Sequence, residues 1–194
     1  MNKEEGEGFT IMYHRNETII LERDCDAVLI PSGEPITLKA GDPVYITQTL
    51  GNNYTVYIHG NLARIAGHDL DALGLEPIVE TFKVAASTDS SVDESLIWDQ
   101  LRTCYDPEIP INIVDLGLIY DCSISSLAEG GNRVEIKLTL TAPGCGMGQF
   151  LVEDVKSKIE QVPNVTEVEV ELVFDPPWNY DMMSEAARLQ TGMY

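Results

Sequence analysis

The sequence predicts an α+β protein of two domains, a small all-β domain over residues 1–88 and a second domain over residues 89–194. In the first half, short apolar runs rich in β-branched residues are separated by prolines and glycines, a spacing typical of a small barrel or sandwich. In the second half, helical and strand periodicities follow in the order helix–strand–strand–helix–strand. That order predicts a three-stranded sheet covered by helices.

The first half is expected to consist mainly of short strands. Its apolar runs lie at residues 11–13, 18–21, 27–30, 44–49, 54–58 and 62–65. Residues 69–75 fit a single helical turn, and the small polar stretch at 85–90 is typical of a linker. The histidines at positions 14, 59 and 68 are scattered along the sequence, and we interpret them as structural.

The second domain opens with a predicted helix. Ser91 and Glu94 have the spacing of a capping box, and Pro107 is expected to end the helix. The helical period places three apolar residues on one face, namely Ile97, Leu101 and Cys104.

A hairpin follows this helix in the prediction. Residues 118–125 and 134–140 alternate between apolar and polar side chains on either side of a Gly-Gly turn, so one face of the pair should be buried. Residues 167–174 alternate in the same way, which lets their glutamates face Arg133 and Lys137 across the sheet.

Two further helices complete the predicted domain. The first covers residues 146–161, and Pro163 is expected to end it. Its apolar stripe consists of Leu151, Val155, Ile159 and Val162. The last helix is a short one at residues 184–190.

The chain is strongly acidic, with 12 Lys and Arg against 32 Asp and Glu and a net charge of −20. It offers no basic stripe for phosphates, so nucleic acid and anionic membranes are poor partners. No apolar run approaches the roughly 20 residues that span a bilayer, and no signal peptide is recognisable at the N-terminus. The four cysteines form no C-x-x-C pair. We interpret them as reduced thiols of a cytoplasmic protein.

Cys145 is the candidate functional cysteine. Cys104 and Cys122 lie in phase with apolar residues and should be buried, and the aspartates beside Cys25 should raise its pKa. Cys145 instead lies in Thr141-Ala142-Pro143-Gly144-Cys145-Gly146-Met147-Gly148, which runs from a strand end into a helix start. The glycines leave the sulfur uncrowded, and the helix start favours the thiolate. We predict a partly exposed thiol of lowered pKa, the most reactive of the four.

Several roles are open to such a thiolate. Acyl transfer usually needs a base such as histidine, and residues 91–194 contain none. Tyrosine-phosphatase-like chemistry needs an arginine six residues after the cysteine, where this chain has Leu151. Ligation of a metal or a cluster needs only a thiolate and access, which makes it the least demanding role.

Two further motifs carry polar and aromatic groups in proline-rich loops. Asp106 and Glu108 flank Pro107 and have the spacing of an acid and a base, although a rigid turn in which Asp106 binds the backbone is the simpler interpretation. Asp175 and Trp178 follow the last strand in Phe-Asp-Pro-Pro-Trp. This motif fits a partner-docking edge and a lid over the core equally well.

Three segments in this order resemble a known family. They are Asp-Pro-Glu-Ile-Pro-Ile-Asn-Ile-Val-Asp-Leu-Gly-Leu-Ile-Tyr, Thr-Leu-Thr-Ala-Pro-Gly-Cys-Gly-Met, and Asp-Pro-Pro-Trp followed by Met-Met-Ser-Glu-Ala-Ala. From about Ser91 to the C-terminus, the chain resembles the PaaD-like metal–sulfur cluster biosynthesis domain. Ile-Thr-Gln-Thr-Leu-Gly at 46–51 and Gly-Asn-Leu-Ala-Arg-Ile at 60–65 resemble the extra domain of SufT-like proteins.

The resemblance implies a cytoplasmic, non-catalytic factor that delivers or targets iron–sulfur clusters to client apo-proteins, together with the iron–sulfur assembly machinery. It implies that Cys145 binds the metal or cluster, with Asp106, Glu108 and Asp115 at the same site, supported by Thr141, Gly144 and Gly146. Gly146 stands where the family often has proline.

The number of ligands limits what one chain can hold. A cluster usually takes four protein ligands, whereas Cys145 gives one ligand per chain and a homodimer gives two. Transient binding of an iron–sulfur cluster is therefore favoured over storage. Two alternatives stay open: a thiol-dependent enzyme that uses Cys145, and a pure interaction adaptor that holds no cluster.

Overall fold

The computed structural model describes residues 18–76, 90–106, 109–142, 144 and 146–192. Within these ranges it confirms the α+β class, with one six-stranded and one three-stranded sheet. The strand predicted at 11–13 and residues 85–89 of the predicted linker lie outside the described residues. The boundary between residues 88 and 89 also falls there, and it stays a prediction.

The six-stranded sheet is antiparallel and has the strand order β1-β4-β5-β6-β2-β3. A 3₁₀ helix at Gly67–Leu73 follows it, where a single helical turn was predicted. The strands are β1 (Thr18–Ile20), β2 (Cys25–Ile30), β3 (Pro35–Leu38), β4 (Pro43–Leu50), β5 (Asn53–Ile58) and β6 (Asn61–Ile65).

One face of this sheet forms the core of the first half. Val44, Val56, Ala63 and Ile65 are fully buried there, and Leu70 of the 3₁₀ helix packs onto them. The short apolar runs therefore placed most of the strands correctly. The prediction missed β3, a short edge strand that pairs only with β2 and lies among the prolines and glycines that separate the predicted apolar runs.

The first helix of the second half, α1, spans Glu94–Arg102 and begins and ends differently from the prediction. Its N-cap is Asp93, whose carboxylate accepts a hydrogen bond from the Ser95 amide at 2.9 Å. The predicted Ser91–Glu94 capping box is therefore wrong, because Asp93 occupies the N-cap position. The helix ends at Arg102, five residues before Pro107. Ile97 and Leu101 of its predicted apolar face are fully buried, while Cys104 is buried as well but lies two residues beyond the end of the helix.

The three-stranded sheet consists of β7 (Ile119–Ser126), β8 (Asn132–Leu138) and β9 (Val165–Leu172). β7 is antiparallel to β8, and β9 is parallel to β8. Val134, Ile136 and Leu138 are buried beneath the helices. On the other face, Arg133 lies opposite Glu167 and donates from Nε to its carboxylate at 2.8 Å, as the alternation predicted.

Two helices follow β8 and β9. α2 spans Gly148–Ile159, and α3 spans Glu185–Thr191 with Ser184 as its N-cap. α2 begins two residues later than predicted. It also ends before Val162, which is buried but lies in the connection to β9. No helix within the described ranges combines the length and hydrophobicity that a membrane crossing requires.

Candidate functional site

Three motif-bearing segments meet at one end of the three-stranded sheet. Ile119 begins β7, Leu138 ends β8 and Leu172 ends β9, and these residues are neighbours across the sheet. The segment before β7 and the segments after β8 and β9 therefore leave the sheet at the same edge. The structure thus brings together the three stretches that sequence analysis singled out separately.

Hydrogen bonds join these segments. Thr139 donates its amide to the Leu118 carbonyl at 2.8 Å, which connects the loop after β8 to the loop before β7. Ser184 donates its amide to the Asp115 carbonyl at 2.8 Å. Gly117 has a φ of +69°, and a Cβ on this residue would overlap the Met182 carbonyl. The loop before β7 therefore packs backbone to backbone against the C-terminal segment.

Residues 139–147, named the cysteine loop below, carry the candidate thiol. Cys145 itself lies outside the described residues, so its predicted exposure and lowered pKa stay predictions. Its neighbour Gly144 is exposed, with a φ of +86° and open space where a Cβ would stand. Gly146 is exposed and contacts the turn between β2 and β3, while Met147 is buried and precedes the first residue of α2.

Asp115 lies in the loop before β7, and its carboxylate is engaged locally. The Asn112 side-chain amide donates to Asp115 Oδ2 at 2.6 Å, and the Asp115 amide donates to Asn112 Oδ1 at 2.9 Å. The two residues close a turn, and the Asp115 carbonyl in this turn accepts the hydrogen bond from the Ser184 amide. Asp115 therefore shapes the sheet end that carries the cysteine loop.

Asp106 is a buried group, although we predicted it on the same surface as Cys145. It is only 3% exposed, and its Oδ1 accepts the Ile109 amide at 3.0 Å. This is the rigid turn that the simpler interpretation of the motif predicts. Glu108 lies outside the described residues, so its place at the site stays a prediction. Thr141 is half-buried in the cysteine loop.

The residues after β9 divide between packing and exposure. Trp178 is half-buried against the core and donates its indole N–H to the Leu116 carbonyl at 2.8 Å. It thus covers the loop before β7, as the lid interpretation describes. Asp175 is exposed, and Phe174 and Tyr180 are exposed apolar residues of the same segment.

The three described cysteines are poorly suited to act as thiolates. Burial raises the pKa of Cys25 to about 11, and the negative charge of Asp69 adds to the effect. Burial also raises the pKa of Cys122 to about 11 and that of the fully buried Cys104 still further. For Cys25, burial therefore outweighs the flanking aspartates that we predicted to be the cause.

We expect Cys145 to react with an alkylating agent faster than the other three cysteines at neutral pH. A thiol with a pKa of 11 carries on the order of one thiolate in ten thousand molecules at pH 7, and the thiolate is the attacking species. Peptide mapping after short iodoacetamide exposure would measure each rate. Faster labelling of Cys25, Cys104 or Cys122 in the folded protein would contradict this ranking.

No group of three or more His, Cys, Asp and Glu side chains suited to holding a metal occurs in the described part of the chain. His59 and His68 are both exposed, and His68 lies 3.2 Å from Asp69. His14 lies outside the described residues, so our interpretation of the three histidines as structural stays a prediction.

Sequence analysis missed an interface between the two halves of the chain, formed largely by α2. Asn53 of β5 donates to Asp154 Oδ1 at 3.0 Å, and Lys158 forms a buried ion pair with Asp154 at 3.1 Å. Arg64 of β6 is 2% exposed and lies over the Phe150 ring, 5.2 Å from its centre. Burial lowers the pKa of Arg64, which the negative charge of Asp154 partly opposes.

The same residues border two clefts between the halves. One cleft, about 450 Å³, is lined by Arg64 and Phe150 together with Asp26, His68, Asp69 and Glu153, among others. A charged residue in an alternating strand is ordinarily assigned to the solvent. The burial of Arg64 was therefore hidden from sequence analysis, apart from its position between Ala63 and Ile65.

Comparisons with known proteins identify a family for the second half of the chain. The family described as iron-sulfur cluster assembly protein matches residues 94–171. A Porphyromonas gingivalis protein named Fe-S protein maturation auxiliary factor is 51% identical over 92 residues, covering 47% of this chain and 84% of the relative. Staphylococcus aureus SufT, with the same description, is 40% identical over 88 residues, covering 45% of this chain and 96% of the relative.

A solved structure is also similar. A conserved hypothetical protein from Thermotoga maritima is 32% identical, with a TM-score of 0.47 over 54% of this chain and 99% of that chain. The family match begins at Glu94, so the resemblance of the first half to SufT-like proteins stays a prediction. Since the chain covers most of the length of relatives that are 40% and 51% identical to it, it belongs to the family of iron–sulfur cluster assembly proteins.

Proposed function

We propose that this protein is an auxiliary maturation factor that delivers or targets iron–sulfur clusters to client apo-proteins through Cys145. The observation that carries the proposal is the 51% identity to a named maturation factor over 84% of that relative's length. A relative from Synechocystis, 35% identical over 77 residues, is named iron-sulfur cluster carrier protein, which supports a carrying role for the shared region.

The geometry of the sheet end supports Cys145 as the ligand. The cysteine loop leaves β8 beside the Asp115 turn and the segment after β9, so a partner at this edge would contact all three. Thiolate is a soft ligand that suits iron–sulfur clusters. The described cysteines are alternatives only in principle, since Cys25 and Cys104 are buried and Cys122 is half-buried in the middle of β7.

The remaining site residues have supporting roles in this proposal. Asp106 and Asp115 hold the turns before β7, and Glu108 is proposed to lie at the site. Thr141, Gly144 and Gly146 shape the cysteine loop. Asp175 and Trp178 are the proposed partner-docking residues, Asp175 through its exposure and Trp178 through its fixed position beside Leu116.

The ligand count favours transfer over storage. One thiolate per chain leaves most positions of a cluster to be filled by a client, a second copy of this chain or a small thiol. We therefore propose transient binding by a cytoplasmic, non-catalytic protein that works with the assembly machinery, with a homodimer as one way to supply two thiolates. The free cysteines among the described residues fit a reducing compartment.

Anaerobic reconstitution with ferrous iron, sulfide and a reducing thiol tests this function. We expect charge-transfer absorbance that disappears when the protein is mixed with an apo-enzyme, and enzyme activity that rises in step. The control is Cys122→Ser, which keeps Cys145. If neither protein-bound iron nor enzyme activation exceeds that of the reagents alone, the carrier function is wrong.

A specific observation favours a pure adaptor as the second candidate function. Phe174 and Tyr180 are 46% and 54% exposed in the segment after β9, beside Asp175. Exposed aromatic side chains near a charged residue are typical of protein-binding surfaces. An adaptor would still bind client proteins after Cys145→Ser, whereas a carrier would lose cluster transfer.

A further inference from the structure

The turn between β2 and β3 touches the cysteine loop backbone to backbone. A Cβ on Gly33 would overlap the carbonyl group of Gly146, and a Cβ on Gly146 would overlap the Ser32 carbonyl. The contact is therefore reciprocal and leaves no room for a side chain on either residue. Glycine permits so close an approach of two backbones.

The turn itself has a defined shape. The Gly33 amide donates to the Leu29 carbonyl at 2.8 Å, and the Leu29 amide donates to the Glu34 carbonyl at 2.9 Å. The Glu34 amide also lies 3.3 Å from Ser32 Oγ, which accepts its hydrogen bond. Because β2 pairs with both β3 and β6, the turn is anchored to the interior of the six-stranded sheet.

Other contacts fix this sheet relative to the helix that follows the cysteine loop. Asn53 binds Asp154, and Arg64 lies over Phe150, both partners being on α2. A Cβ on Gly51 would overlap the Thr103 carbonyl at the end of α1. The six-stranded sheet thus contacts α2 along one side and the cysteine loop just before α2 begins.

The two glycines beside Cys145 have different surroundings. Gly144 has open space around the position where a Cβ would stand. Glycine loses more conformational freedom on ordering than any other residue, and Cys145 lies between two glycines. Gly146, on the other side of Cys145, lies directly against the Ser32–Gly33 backbone.

We propose that Ser32 and Gly33 are positioning residues for Cys145. Their backbone limits the conformations of the cysteine loop, so that the thiol is presented to a partner at the sheet end in one orientation. This inference rests on the proposed function of Cys145 and adds a task for the first half of the chain. It acts through Gly146 and requires no chemistry from the turn itself.

Gly33→Ala compared with Gly41→Ala tests the proposal. Both glycines have positive φ, +72° and +91°, so alanine strains the backbone at either position, but only Gly33 contacts the cysteine loop. We expect Gly33→Ala to raise the alkylation rate of Cys145 about threefold or more by freeing the loop, and Gly41→Ala to leave it unchanged. The rate at Cys122 should stay constant in both variants.

A second variant removes the contact without creating an overlap. Replacement of residues 30–33 by Asn-Gly, a two-residue hairpin turn, withdraws the turn from Gly146. It should raise the Cys145 alkylation rate in the same way and lower client maturation, which Gly41→Ala should preserve. If Gly33→Ala fails to fold, the alkylation rate of Cys145 in this shortened-turn variant tests the proposal instead.

The outcomes separate this inference from the proposed function. Equal Cys145 alkylation rates in the two glycine variants and in the shortened turn would overturn the positioning role. A changed rate with full client maturation would also overturn it, because the restraint would then have no consequence. The alkylation rate reports on the restraint even if Cys145→Ser leaves client maturation intact, a result that would contradict only the carrier function.

Discussion

Cys145→Ser is expected to abolish the maturation of client iron–sulfur enzymes while leaving the protein folded. The substitution replaces a soft thiolate by a hard, weakly acidic hydroxyl, so binding of iron or a cluster should collapse. The volume change is small and the flanking Gly144 and Gly146 are exposed, so the free energy of unfolding should change by no more than about 1 kcal/mol. Activity of a cluster-dependent enzyme in cells under high demand, together with a thermal melt, measures both effects.

Cys122→Ser is the matched control for this experiment. It makes the same chemical exchange in the same half of the chain, at a half-buried position in the middle of β7. An unpaired hydroxyl there should cost about 1 kcal/mol of stability, while client maturation should stay at the wild-type level. The two variants should therefore separate function from stability. If the client enzymes keep full activity with Cys145→Ser, the carrier function is wrong and the adaptor function is favoured.

The fold of the second half was predictable because each element buries one face. The alternation in β8 and β9 and the helical stripes of α1 and α2 directly reflect which side chains reach the core. The ends of the elements were harder to predict, since they depend on single hydrogen bonds. Asp93 rather than Ser91 caps α1, and nothing in the spacing of the two residues decides between them.

The candidate site was predictable only in part. Three motifs could be recognised in the sequence, and their meeting at one end of the sheet follows from β9 being parallel to β8, a pairing that the sequence pattern leaves open. Sequence analysis predicted the turn at Asp106 but not the burial of its side chain, because a carboxylate in a proline-rich loop resembles a surface group. Its burial depends on how the loop before β7 packs.

The interface between the two halves was beyond sequence analysis. Asp154 and Lys158 lie four residues apart on α2, a spacing equally typical of an exposed ion pair on a solvated helix face. Their side chains are only 9% and 6% exposed, because β5 and the end of α1 cover them. Periodicity identifies the apolar face of a helix but not a second protein surface that covers its polar face.

The buried ion pair leads to a second large expected effect. Lys158→Met should lower the free energy of unfolding by about 3 kcal/mol, because it leaves Asp154 as a buried charge without its ion-pair partner. Lys158 also donates to the Thr103 carbonyl at 2.8 Å, and this bond is lost as well. This loss of stability is at the lower end of the range that is typical when a buried ion pair loses one partner, because the positive charge of Arg64 also acts on Asp154.

Lys156→Met provides the control on the same helix. Lys156 lies 4.0 Å from Glu160, and both side chains are about half exposed, so its loss should change stability by no more than about 0.5 kcal/mol. Adding Asp154→Asn to Lys158→Met removes the unpaired charge and should recover part of the loss, about 1 kcal/mol or more. Urea unfolding of the wild type and the three variants measures these differences. If Lys158→Met unfolds at the same urea concentration as Lys156→Met, the interface between the two halves does not depend on this ion pair.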